Sequence, residues 1–124
     1  MSKLQILYVE DSIEQQTLFK LYVKSKPYEF RFAGSFEEAE KLMDQQSFDL
    51  IFLDWSLPGK MDAPEFIDKI RSSERKGKNT PCYIVTGYTK KDITSENGDL
   101  PIDGILSKPV RKKDLLELLD GYTA

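Results

Sequence analysis

Five short apolar runs, separated by longer amphipathic or polar intervals, constrain this chain more than any other feature. Leu4 to Val9, Phe30 to Ala33, Leu50 to Leu53, Cys82 to Val85 and Ile102 to Leu106 are rich in Ile, Val, Leu and Phe. They have strand length, and the third is apolar throughout, as a strand covered on both faces should be. Helical spacing fills the intervals. Ser12 is placed to cap a helix carrying Ile13, Leu18, Leu21 and Tyr22. Ser35, with Glu38 three residues on, forms a capping box for a second helix that buries Phe36, Ala39, Leu42 and Met43. A third, around Ala63 to Ser73, groups Phe66, Ile67 and Ile70. The last, Lys112 to Asp120, carries Leu115, Leu116, Leu118 and Leu119 before a stop at Gly121. The weak interval is Thr89 to Asp99, with Ser95, Asn97 and Gly98 inside it and Pro101 beyond, so the fourth helix is expected to be short or irregular. Strand and helix in alternation predict an α/β fold, a parallel five-stranded sheet with helices on both faces and right-handed crossovers.

At 124 residues the chain is expected to form one domain, 1–124, with an ordinary core and no need of staples. Its formal charge of −3 argues against nucleic-acid binding, which needs a concentrated basic face. No run approaches the ~18 apolar residues of a membrane span, and the N-terminus lacks the pattern of a secretion signal. A single cysteine, Cys82, cannot form an internal disulfide, which points to the cytoplasm. The charged stretch Arg71 to Lys78 reads as a solvated loop. Histidine is absent, which removes Ser-His-Asp catalysis, Cys-His catalysis and His-ligated zinc together.

In open parallel sheets, ligands bind beyond the carboxyl ends of the strands. The first run ends in Glu10-Asp11, the third in Asp54, the fourth in Thr86-Gly87 and the fifth in Ser107-Lys108-Pro109. Each residue alone is commonplace as a cap, a strand residue or a surface charge. Together they bring three acids, a hydroxyl and an amine to one sheet edge. Carboxylates gathered there repel one another unless a positive charge sits among them, and Mg²⁺ suits a few carboxylates plus waters.

On Val9-Glu10-Asp11-Ser12, Asp49 to Pro58, Ile84-Val85-Thr86-Gly87 and Leu106-Ser107-Lys108-Pro109, at family spacing, the whole chain resembles the receiver domain of bacterial two-component response regulators. The resemblance implies a flavodoxin-like, doubly wound (βα)5 sandwich with strand order 2-1-3-4-5. It implies Asp54 as phosphoacceptor, taking the phosphoryl group of a phosphohistidine on a histidine kinase or phosphotransfer protein. Asp11, Asp54 and the backbone carbonyl of Ser56 would ligate Mg²⁺, with Mn²⁺ as an alternative ion, and Glu10 would act through a bound water. Lys108 would pair with Asp54 and then with the phosphoryl oxygens, to which Thr86 would donate its hydroxyl. The Lys108-Pro109 bond is a candidate cis peptide. The implied protein is a cytoplasmic, stand-alone receiver that acts by phosphorylation-dependent binding to a downstream protein, either as a diffusible regulator or as a relay between histidine-containing proteins. It is expected to be a monomer, with no enzymatic activity beyond self-catalysed phosphoryl acceptance and autodephosphorylation, and no nucleic-acid or membrane partner.

Three departures from the family pattern concern output. The loop Pro58-Gly59-Lys60-Met61-Asp62-Ala63-Pro64-Glu65 is one residue longer before Met-Asp than the family usually has, and Ala63 stands where glycine is usual. Ile105 occupies the position of the family's rotating aromatic, and Tyr88 is the one nearby aromatic that could substitute. The third departure is the weak fourth helix, on a face the family commonly uses. The runner-up is therefore a receiver-like module with a constitutive binding surface and vestigial phosphorylation. A flavodoxin would need a phosphate loop where Glu10-Asp11 stands. A hydrolase of the aspartyl-phosphate type would need an acid at Ser56.

Overall fold

The computed structural model describes residues 3–57, 59–72, 78–87 and 100–122. Five parallel strands, β1 (Leu4–Val9), β2 (Tyr28–Ala33), β3 (Leu50–Asp54), β4 (Cys82–Thr86) and β5 (Gly104–Ser107), form one sheet in the order 2-1-3-4-5. Four helices are described: α1 (Ile13–Tyr22), α2 (Phe36–Gln45), α3 (Ala63–Arg71) and α4 (Lys112–Asp120). This is the flavodoxin-like arrangement expected from the resemblance. The short helix expected over Thr89 to Asp99, together with Tyr88 and Pro58, lies outside the described residues.

The pleat divides each buried strand between two layers, because successive side chains point to opposite faces. Leu7, Val9, Ile51, Leu53, Cys82 and Ile84 join the layer that contains the buried faces of α2 and α3. Ile6, Tyr8, Leu50, Phe52 and Val85 join the layer that contains Phe19 of α1 and Leu115 and Leu119 of α4. β3 is central and buried at all five positions, which explains its unbroken apolar character up to Asp54. Two helix starts form as the sequence indicates. Ser12 Oγ accepts from the Gln15 N–H at 3.3 Å, and Ser35 Oγ from the Glu38 N–H at 3.1 Å. The reciprocal half of the second box shifts by one residue, since Glu38 Oε2 accepts from the Gly34 N–H at 3.1 Å.

The structure corrects the expected face of α1. Ile13 and Leu21 are 72% and 58% exposed, whereas Phe19 is buried. Phe19 packs on Tyr8, with ring centroids 4.5 Å apart, and edge-on to Phe30 and Phe52. This aromatic cluster sets the rotation of the helix, and at 3.6 residues per turn Leu21 then falls ~200° round from Phe19. Two strand starts also move. β2 begins at Tyr28, because the parallel ladder with β1 starts at Leu4↔Tyr28. β5 begins only at Gly104, after Asp103 has closed a local pair with Cys82 in which its N–H donates to the Cys82 carbonyl and its Oδ2 accepts from the Cys82 N–H, each at 2.8 Å. Arg71 is not loop but the last residue of α3. Its guanidinium donates to the carbonyls of Lys78, Thr80 and Pro101, tying α3 to the segments that enter β4 and β5.

Cys82 is fully buried, and burial pushes its thiol up to about 12. The thiolate is the reactive form. The native protein is therefore expected to resist an aromatic disulfide reagent at pH 8, and to react stoichiometrically once unfolded in urea. Rapid labelling of the native chain would contradict this placement.

Candidate functional site

Period two continues past the ends of the strands and assembles the site. Glu10 follows Ile6 and Tyr8 on alternate positions, Asp54 follows Leu50 and Phe52, and Lys108 follows Leu106. All three therefore emerge on the α1–α4 face, at the carboxyl edge of the sheet. Backbone bonds hold the ends level. The Glu10 N–H donates to Ala33 O at 2.8 Å, Asp54 pairs with Val85, and the Lys108 N–H donates to Thr86 O at 2.8 Å. The Lys108-Pro109 peptide is cis, as the resemblance implied.

The electrostatics follow from this convergence. Glu10 is 1% exposed and Asp54 8%, while Asp11 is exposed at the rim. One carboxylate oxygen from each of the three lies within 4.8 Å of the others. Lys108 Nζ stands 3.2 Å from Glu10 Oε1 and 3.5 Å from Asp54 Oδ2. Three carboxylates cluster here and Lys108 faces two of them, so the cluster holds more negative charge than Lys108 can balance. Burial first, and the Asp54 carboxylate second, push the Glu10 carboxyl above its ordinary range, with Lys108 opposing them. The set consists of hard oxygen donors with unbalanced negative charge, and so fits a small divalent cation.

Thr86 and Ser56 also lie at this edge. Thr86 is buried at the end of β4 and pairs with Ser107 of β5. The Ser56 N–H donates to Asp54 Oδ1 at 3.1 Å, so the turn after β3 orients the acid. Trp55 is half-buried and packs against the α2–α3 layer. In the longer loop, Gly59 takes a φ of 138°, a region that disfavours other residues, while Asp62 caps α3 by accepting from the Glu65 N–H at 2.9 Å. Ala63 is buried beneath that cap, and Ile105 is half-buried against the same layer.

Sequence reasoning missed two residues that act on Glu10. The Tyr8 hydroxyl donates to Glu10 Oε1 at 3.2 Å, and Gln16 Nε2 donates to the Glu10 carbonyl at 2.7 Å. The first was legible in principle. A tyrosine in an apolar strand needs a partner for its hydroxyl, and the residue two positions on shares its face. Gln16 carried no such signal, since its reach depends on where α1 docks.

Residues 6–120 match the model of the response regulator receiver domain. Among solved structures, the fold is similar to that of the chemotaxis protein CheY4 of Vibrio cholerae, at 26% identity and a TM-score of 0.85, covering 98% of this chain and 100% of that one. It is also similar to the receiver domain of a sensor histidine kinase of Pseudomonas aeruginosa, at 24% identity and a TM-score of 0.83, covering 98% of each chain; that structure has a magnesium ion coordinated in its active-site cleft. A third similar structure is the signal receiver domain of an HD domain-containing protein of Pseudomonas fluorescens, at 23% identity and a TM-score of 0.83, covering 98% of this chain and 88% of that one. Among the described residues no helix is long and apolar enough to cross a membrane. The family match runs from the first strand to the last helix, through every strand end that carries an acid, the threonine or the lysine, and this chain belongs to the response regulator receiver domains of two-component systems.

Proposed function

We propose that the chain accepts a phosphoryl group on Asp54 from a phosphohistidine of a histidine kinase or phosphotransfer protein, and signals in the cytoplasm by phosphorylation-dependent binding to a downstream protein. The observation that carries this reading is the position of Asp54. It ends the central strand, nearly buried, with the Lys108 ammonium 3.5 Å from one oxygen and the Ser56 N–H on the other. A carboxylate oxygen of Asp54 forms the new O–P bond while the N–P bond of the donor breaks and the imidazole leaves with the electron pair. Phosphoryl transfer needs alignment and charge neutralisation more than covalent help. Lys108 supplies one positive charge and turns from the acids to the phosphoryl oxygens. Thr86 donates its hydroxyl to them, coupling the modified site to the ends of β4 and β5.

Asp11, Asp54 and the Ser56 carbonyl would hold Mg²⁺ directly and Glu10 through a water, with Mn²⁺ as the alternative ion. The ion supplies charge neutralisation and alignment of the transferring oxygens. Support comes from the acid cluster and from the magnesium-bound receiver similar in fold. Beyond this self-catalysed acceptance and the autodephosphorylation that resets it, we assign the chain no enzymatic activity. We place it as a monomer without nucleic-acid or membrane partners. An aromatic reporter is absent at Ile105, so the downstream partner would read the Thr86 end of the sheet by another route.

Intact-mass measurement after incubation with a small acyl phosphate tests the reading. One phosphoryl group is expected to appear with Mg²⁺ and not with excess chelator, and to be lost in alkaline hydroxylamine, which cleaves acyl phosphates. No mass gain under any condition would favour a constitutive binding module instead.

A further inference from the structure

Tyr8 stands two residues before Glu10 on the same face of β1 and lies wholly in the interior. Its ring packs 4.5 Å from Phe19 and edge-on to Phe52 at 6.2 Å, in a layer where phenylalanine would fill the same space. A buried hydroxyl is costly unless it has a partner, so the oxygen is not explained by packing. Its partner is Glu10 Oε1, at 3.2 Å.

That carboxylate is held from three directions. Tyr8 donates from beneath, the Ser12 N–H reaches Oε2 at 3.4 Å, and Lys108 reaches Oε1 at 3.2 Å. The three holds differ in permanence. Lys108 also faces Asp54 at 3.5 Å, and in the proposed function it is the group that turns to the phosphoryl oxygens. Tyr8, by contrast, is packed among the rings of Phe19, Phe32 and Phe52.

We propose that Tyr8 is a positioning residue of the acidic site, its hydroxyl fixing the Glu10 carboxylate in the orientation that serves a divalent cation held with Asp11 and Asp54. The inference rests on the reading of that cluster as a Mg²⁺ site. Hydrogen-bond partners behind metal-serving side chains order them in advance, and losing one typically weakens binding by about 10–100-fold.

Calorimetric titration of the full chain with Mg²⁺ separates the possibilities, using wild type, Tyr8→Phe, Glu10→Gln and the double variant. Tyr8→Phe keeps the ring and its packing. It is expected to weaken Mg²⁺ binding by about tenfold. The double variant is expected to bind no more weakly than Glu10→Gln alone, because Tyr8 acts through Glu10. Unchanged or tighter affinity in Tyr8→Phe would overturn the assignment while leaving the Mg²⁺ site intact. So would a further loss in the double variant as large as in the single one. If the wild-type chain bound no Mg²⁺, the positioning role and the metal site would fall together.

Discussion

Asp54→Ala is expected to abolish phosphoryl acceptance altogether, leaving the intact mass unchanged after prolonged exposure to an acyl phosphate and Mg²⁺. The loss should be complete rather than partial because the substitution removes the nucleophile itself, not a group that stabilises charge around it. Neighbouring acids are poor substitutes. Glu10 is 1% exposed, and its Oε1 already accepts from Tyr8 and Lys108. Asp11 sits at the exposed rim, outside the pair of oxygens that Lys108 faces. The fold should survive, since alanine at this position removes a carboxylate that opposes the ionisation of Glu10. A mass gain retained in Asp54→Ala would move the acceptor elsewhere and undo the proposed function.

Phe52→Ala is expected to destabilise the domain by about 3–5 kcal/mol, read as a lower urea midpoint at an unchanged slope. Phe52 is fully buried in the central strand. Its ring lies about equally far from Tyr8, Phe19 and Phe30, at 6.2, 6.2 and 6.3 Å, and 5.8 Å from Tyr83. Truncation leaves a cavity that four other rings border, and aromatic packing resists collapse into it. Against a total stability of roughly 5–15 kcal/mol for a domain, such a loss brings the chain near its folding limit. Two residues on, Asp54 shares the same strand, so the variant should also lose phosphoryl acceptance in proportion to the unfolded fraction. A loss under about 1 kcal/mol would show that the layer repacks freely.

Much of this is legible in the sequence. The strand ends could be read because a parallel strand buried on both faces must be apolar until it leaves the sheet, so Glu10 and Asp54 stand out as the first charges after their runs. The helix caps at Ser12 and Ser35 were legible for a similar reason, since capping is a contact between residues three apart. The face of α1 was not. Ile13 and Leu21 are as apolar as a buried side requires, and only the seat of Phe19 among Tyr8, Phe30 and Phe52 decides which side turns inward. Arg71 misled for the same reason: its carbonyl partners at Lys78, Thr80 and Pro101 are brought to it by the sheet.

Fold class, family and the chemical types gathered at the site can be read along the chain, because period two, helical spacing and strand-end residues are local properties. How those groups are held depends on packing between elements. Lys108 lies between Glu10 and Asp54 because strands distant in sequence are brought into register by their ladders. Distances of 3 to 4 Å between residues such as Glu10 and Lys108, 98 apart in the chain, are set by that packing and leave no trace in local pattern.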